Sequence, residues 1–203
     1  MIIAKTSGTS FELVPVGNHV ARCYAMVEIG TVTDEYMGAP KSLHKVRVSW
    51  ELPHKKKIFN PEKGEQPFSI HKEYTLSMHE KSNLRQDLES WRGKAFTEEE
   101  AKAFDVTKLL GKECMINIIH NVSRTGNAYA QIASITPVPE GMVCPPQINP
   151  TFVLSYSEWE QKKFDLLPEW IRKKMEDTPQ YKSLFSGGSD VKADITSDDD
   201  IPF

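Results

Sequence analysis

The stretch Lys-Val-Arg-Val-Ser-Trp-Glu-Leu at positions 45–52 alternates strictly between polar and apolar side chains. A period of two with branched and aromatic residues is typical of a β-strand that buries one face. The apolar face carries Val46, Val48, Trp50 and Leu52. We therefore predict a strand over residues 43–52, with Trp50 in the core and not on a binding surface.

The same alternation recurs on both sides of this strand. It marks four further predicted strands, at residues 16–33, 68–78, 113–122 and 128–138. Between the third and fourth strands the period changes to helical spacing, with Leu84, Leu88 and Trp91 on one stripe. Ser82 is suited to begin this helix and Gly93 to end it. Trp91, and Tyr74 in the third strand, are predicted to be buried.

The order of these elements favours one fold class. A parallel α/β fold would alternate strands and helices, and a sandwich would need about seven strands. Five strands with a helix after the third are typical of the oligonucleotide-binding (OB) barrel. We predict a mainly β chain: a five-stranded OB-fold barrel with a helical insertion between strands 3 and 4, short C-terminal helices and a disordered acidic tail. A general α+β domain remains the alternative.

Composition indicates a soluble chain with three parts. The 203 residues are 39% hydrophobic and 26% charged, and the net charge of −3 is unevenly distributed. Residues 41–63 hold seven bases and two acids, whereas residues 186–203 hold five aspartates and one lysine. This pattern is typical of a polyanion-binding body with an interaction tail. The predicted parts are residues 1–140 (barrel), 141–185 (linker and short helices packing on or near it) and 186–203 (tail).

The setting predicted from the sequence is the cytoplasm. No apolar run is long enough for a spanning helix, and the first residues lack the apolar core of a signal peptide. Three cysteines are too few for a disulfide framework or a Cys-rich zinc site, and Cys23 and Cys114 are predicted as small core residues. We expect no membrane association.

The candidate binding residues combine cations for phosphates with aromatic faces for bases, as single-strand binders require. Arg22 and Tyr24 share the polar face of the first strand, and Lys45 and Arg47 that of the second. Because these strands pair in an OB-fold, the four are predicted to form one patch, although a solvated strand face is the alternative. The full predicted surface is Arg22, Tyr24, Tyr36, Lys41, Lys45, Arg47, Lys55, Lys56, Lys57, Phe59 and Arg124.

The last six residues, Asp198, Asp199, Asp200, Ile201, Pro202 and Phe203, resemble the ending of bacterial single-stranded-DNA-binding proteins. The resemblance implies that this tail docks onto replication and recombination proteins. Phe203 offers an aromatic ring and a terminal carboxylate, which an apolar pocket beside a base would capture together. All six residues are predicted to bind partners.

Several segments of the body resemble OB-fold proteins of phage and mobile-element replication modules. They are residues 77–81, 84–88, 91–94, 109–112 and 167–171. The resemblance implies that the chain binds and protects single-stranded DNA with little sequence preference during replication, recombination or repair. One barrel covers on the order of 4–16 nucleotides, so a homo-oligomer is compatible with this function.

Catalytic motifs do not occur in this sequence. It has no phosphate-binding glycine loop, no His-Glu-x-x-His and no Gly-x-Ser-x-Gly. His71 and His79 are eight residues apart, with no clustering of Cys or carboxylate residues near them. We predict no enzyme, no cofactor and no metal site. The alternative function is an OB-fold adaptor that binds protein, and a nuclease would need clustered carboxylates outside the tail.

Overall fold

The alternating segments form six β-strands in the computed structural model, which describes residues 12–36 and 39–186. They are β1 (Gly17–Tyr36), β2 (Ala39–Asn60), β3 (Gly64–Thr75), β4 (Glu113–Val122), β5 (Ala128–Thr136) and β6 (Phe152–Leu154). The order β3-β2-β1-β4-β5 is antiparallel throughout, and β6 adds to β1 in parallel. The sheet curls into an open half-barrel, which confirms a mainly β chain. Its edges β3 and β5 approach each other without a described ladder between them.

The helical insertion lies where the sequence predicts it. The described helices are α1 (Asn83–Arg92), α2 (Glu98–Lys102), α3 (Gln161–Asp165), α4 (Glu169–Glu176) and α5 (Pro179–Phe185). At the start of α1 the Ser82 side chain accepts a hydrogen bond from the amide of Arg85, and the helix ends at Gly93 in the left-handed region. Both predicted ends are confirmed, because capping depends on adjacent residues.

The inner face of the curled sheet packs against α1. Trp50 is 1% exposed, and its ring lies 5.9 Å from that of Trp91. Tyr74 is buried as predicted, and its hydroxyl donates to Asp87 at 2.7 Å. Cys23 and Cys114 are buried in the same core, as predicted.

A bulge in β1 overturns the predicted assignment of its faces. Cys23 lies opposite Trp50 and Ala25 opposite Ser49, so Tyr24 is an extra residue. The bulge reverses the alternation after it. Met26, predicted on the polar face, is buried in the inner core, whereas Val27 and Ile29 belong to a second core on the outer face.

The C-terminal helices cover the outer face of β1. Phe164, Ile171 and Met175 bury Val27 and Ile29 together with Leu154 of β6. Pro179 begins α5, and the Thr178 side chain caps this helix by accepting a hydrogen bond from the amide of Tyr181. No helix in residues 12–36 and 39–186 combines the length and apolarity needed to cross a membrane.

The strands predicted at residues 43–52 and 68–78 leave residues 53–67 as a long polar connection between them, and this prediction is wrong. β2 continues to Asn60, a short 3₁₀ turn spans Pro61–Lys63, and β3 begins at Gly64. The distal part of this hairpin is exposed on both sides, so no apolar alternation marks it in the sequence. Lys55, Lys56, Lys57 and Phe59 therefore lie on a strand and not on a flexible loop.

Candidate nucleic-acid interface

Arg22 is occupied by contacts within the protein. Its guanidinium donates to the carbonyl oxygens of Gly111 (2.6 Å), Cys144 (3.2 Å) and Pro145 (3.0 Å), and pairs with Glu113 at 3.2 Å. The side chain is only 17% exposed. Its predicted place on an exposed basic patch is wrong, because Arg22 fastens the segment that follows β5 to the outer face.

Glu51 holds the same segment from the neighbouring strand, directly opposite Arg22. Its carboxylate is fully buried and accepts hydrogen bonds from the amides of Ile148 (2.6 Å) and Asn149 (2.7 Å). We call residues 144–149 the strap. The alternating pattern places Glu51 on the polar face of β2 with Lys45 and Arg47. A single carboxylate on this basic face is the only sequence feature that points to its role.

Arg47 lies beneath α4. It is 8% exposed, its guanidinium carbon sits 4.7 Å from the centre of the Trp170 ring, and it pairs with Glu73 at 3.4 Å. Lys174 of α4 binds the other oxygen of Glu73 at 2.5 Å. Burial lowers the pKa of Arg47, and Glu73 opposes that change. The prediction of an exposed Arg47 is wrong, because a helix remote in sequence covers the strand there.

Trp170 is an exposed aromatic residue that the sequence analysis did not select. Its side chain is 52% exposed above Arg47, whereas Ile171 and Met175 are buried. Residues four apart share a helix face, so Trp170 groups with Lys174 and not with Ile171 and Met175. The spacing of four residues between Trp170 and Lys174 is the sequence feature that could have placed Trp170 on the polar side of α4.

Tyr24 and His71 lie on the outer face beside this stacked pair. The Tyr24 hydroxyl is 3.4 Å from the Ser69 hydroxyl, and His71 is the next residue of β3 on the Ser69 face. Desolvation by the surrounding side chains, together with the charge of Arg47, lowers the pKa of His71 to about 4. The charge of Glu73 has a smaller, opposing effect. His71 therefore presents an uncharged ring at neutral pH.

Phe59 stands on the β2–β3 hairpin near Ser69. It is 51% exposed, and its ring meets Phe68 edge-on at 5.1 Å. Phe59 and Ser69 line one cavity of about 310 Å³. Lys55, Lys56 and Lys57 are exposed on the same hairpin, and Lys57 pairs with Glu12.

Two contacts, one shared cavity and the common outer face group six side chains into what we call the aromatic row: Phe59, Ser69, Tyr24, His71, Arg47 and Trp170. Its rings are partly exposed, and three lysines adjoin one end. Exposed rings with nearby cations are what stacking of bases and neutralisation of phosphates require. Tyr24, the extra residue of the bulge, reaches Ser69 of β3 with its hydroxyl, a contact that the alternating pattern alone does not predict.

The remaining predicted residues lie elsewhere. Lys41 is exposed on β2, and Lys45 lines a cavity of about 590 Å³ with Lys174. Arg124 is exposed in the β4–β5 turn. In the strand order, β1 separates this turn from β2 and β3. The Tyr36 side chain and the predicted partner-binding residues 198–203 lie outside what the structure describes.

Two further results bear on the chemistry of this chain. The described residues contain no group of three or more His, Cys, Asp or Glu side chains arranged to hold a metal ion. Comparison with protein-family models, with curated proteins and with solved structures finds no match. Any function must therefore be argued from the geometry and the sequence of this chain.

Proposed function

We propose that this protein binds single-stranded DNA with little sequence preference through the aromatic row. The observation that carries the proposal is the set of partly exposed rings on the outer face: Tyr24 of β1, Phe59 of β2 and Trp170 of α4. Every base has a flat face, so stacking on such rings is sequence-tolerant and is worth about 1–3 kcal/mol per base. Phosphate contacts from Lys55, Lys56 and Lys57 would add a salt-dependent contribution to the binding free energy.

The strand arrangement supports an OB-type barrel as the scaffold. Five strands in the order β3-β2-β1-β4-β5, with helices inserted after β3, agree with a partly open five-stranded barrel. Oligonucleotides bind such barrels on the face of strands 2 and 3 and on adjoining loops. Phe59, Arg47, Ser69 and His71 of the aromatic row lie on these two strands, whereas Tyr24 reaches them from β1 and Trp170 from α4.

The acidic ending extends this function to partner recruitment. Its resemblance to bacterial single-stranded-DNA-binding proteins implies that residues 198–203 bring replication or recombination enzymes to the covered strand. The aspartates would steer the tail toward basic partners, and Phe203 would anchor it.

A protein-interaction adaptor is the second candidate. It is favoured by the internal contacts of Arg22 and Arg47, which withdraw two cations from the outer face. An adaptor would use the exposed rings to anchor a protein partner and would not bind an oligonucleotide through them. The two functions therefore differ in what an oligonucleotide titration should give.

The test is a titration with labelled oligothymidylate at about 50 and 200 mM salt, followed by anisotropy and tryptophan quenching. We expect tight binding that weakens with salt, and far weaker binding of duplex DNA. Replacing Lys55, Lys56 and Lys57 by Gln should reduce the slope of log K against log salt by up to about 2, at about 0.7 per lost contact. Lys162, Lys173 and Lys182, exposed on the C-terminal helices, give a matched triple-Gln control. No binding at low salt would favour the adaptor.

A further inference from the structure

The helical insertion forms an apolar groove apart from the aromatic row. The groove encloses about 760 Å³ between α1, the segment after α2, the start of β4 and the residues after β5. Its apolar lining includes Leu88, Trp91, Phe96, Phe104, Leu109 and Val138. A volume of this size suits a short peptide segment with one or two large apolar side chains.

Internal contacts hold the floor of the groove in place. The Trp91 indole donates to the carbonyl of Glu113 at 2.8 Å, so its ring cannot turn without losing this bond. Phe96 meets Phe104 edge-on at 4.9 Å, and the guanidinium of Arg92 lies 4.3 Å from the Phe96 ring. The site is therefore formed before any ligand arrives.

Most of the charge at the mouth of the groove is already paired. Arg92 binds Glu100 at 3.1 Å, and Glu113 binds Arg22 at 3.2 Å. Hydrogen bonds from the Thr97 amide and from Arg92 lower the pKa of Glu100, so this pair stays ionised.

The other charged residues at the mouth favour an anion. The exposed Lys108 and Lys112 lie there with a single further acid, Glu99. An apolar cleft edged by two lysines suits a peptide that is both acidic and apolar.

We propose that this groove receives the C-terminal segment of the same chain. Ile201 and Phe203 would enter the apolar floor, and the preceding aspartates would face Lys108 and Lys112. The tail has both chemical features that the groove requires: an apolar end and a run of acids directly before it. Pro202 restricts the backbone and so lowers the entropy lost on docking.

The segment before the acidic run gives the tail a reach comparable with the size of the body. Residues 187–197 can span up to about 36 Å between Ser186 and the acidic run, at about 3.3 Å per residue. A folded body of this size has a radius of gyration of about 16 Å. The fully extended segment is therefore about twice as long as that radius.

The groove and the aromatic row have no lining residue in common. Docking of the tail would therefore leave the row open while it withholds Phe203 from partner proteins. This inference does not depend on nucleic-acid binding. It describes control of partner access by the groove, and it can fail or succeed independently of the proposed function.

The experiment compares amide NMR spectra of the full chain with those of its Phe203→Ala variant. We expect shift differences at the groove, in residues such as Phe96, Phe104, Leu109 and Val138, that do not change with protein concentration. In a Lys108→Glu/Lys112→Glu variant, the further change Phe203→Ala should no longer perturb these amides. Lys81→Glu/Lys162→Glu makes the same charge change at exposed sites outside the groove lining and should preserve the effect.

Three results would overturn the proposal. Identical spectra for the two chains would mean that the tail does not dock. Shift differences confined to the aromatic row would place the tail at another site. Differences that grow with protein concentration would assign the groove to the tail of a second copy.

Discussion

Trp50 on the inner face of the sheet is 1% exposed, whereas Trp170 above the outer face is 52% exposed. The inner face is filled by side chains from the strands and the insertion that follows β3. The outer face is divided: the strap and α3–α5 cover β1 and the part of β2 around Arg47 and Glu51, whereas the distal β2–β3 hairpin and His71 stay exposed. Alternation of polar and apolar residues therefore identifies the two faces of a strand. It does not show which later segments of the chain cover the outer face.

Replacing Trp50 should have the largest effect on stability. Trp50→Ala removes a core ring that packs on Trp91, and we expect a loss of about 3–5 kcal/mol in the free energy of unfolding. Trp170→Ala should cost less than about 1 kcal/mol, yet weaken oligothymidylate binding about 5- to 100-fold. Denaturant unfolding and anisotropy measure the two effects. Equal destabilisation by both variants would contradict the contrast between the faces.

Arg22→Ala should separate a structural role from a binding role. The change leaves the carbonyls of Gly111, Cys144 and Pro145 without their charged donor, so we expect a loss of about 2–3 kcal/mol. The salt dependence of DNA binding should stay the same, because Arg22 does not reach a phosphate. The exposed Arg124→Ala is the control for stability, within about 0.5 kcal/mol of the parent. A flatter salt slope in Arg22→Ala would refute this assignment.

Gly30→Ala should loosen the cover of the outer face. A Cβ at Gly30 would lie 2.9 Å from the Thr178 hydroxyl, and the backbone φ of +96° disfavours any side chain. We expect a loss of about 1–3 kcal/mol and faster amide exchange in α5. Gly17→Ala shares the positive φ, at +109°, but meets no atom within 4 Å. If both variants exchange alike, the close approach to Thr178 is not what holds α5.

His71→Gln should give the smallest effect, seen in the pH dependence of stability. The folded-state pKa is about 4 against an ordinary value of 6.5, so the unfolded chain binds more protons between these limits. The free energy of unfolding therefore falls as pH drops from 6.5 to 4, and the variant should flatten that decline. Unfolding across this range, with NMR titration of the ring, measures it. A ring that titrates near 6.5 would contradict both the desolvation of His71 and the effect of the Arg47 charge on it.

The elements that the sequence predicts best depend on nearby residues. The fourth strand is predicted at residues 113–122 and observed at Glu113–Val122, and the helix after Ser82 has both of its predicted ends. Their signals are alternation and capping, which neighbouring side chains determine. The inner core, including Trp50 and Trp91, follows from the same patterns.

The candidate site depends on contacts that the local sequence does not contain. Arg22 meets Pro145 across 123 positions, and Arg47 is covered by a helix that begins at Glu169. Polar residues on an outer face look alike whether they meet water or a later segment. Tyr24 and Phe59 are predicted as binding residues and both belong to the aromatic row. The position of Trp170 above Arg47 is known only from the fold.

Photocrosslinking tests the location of the proposed nucleic-acid face most directly. An oligothymidylate carrying iodouracil would be bound to the full chain, irradiated, and the modified peptides identified by mass spectrometry. The account predicts adducts at Tyr24, Phe59 and Trp170, all competed by unlabelled single strands and not by duplex. Adducts confined to exposed Tyr129 on β5 or to the groove around Phe104 would contradict it.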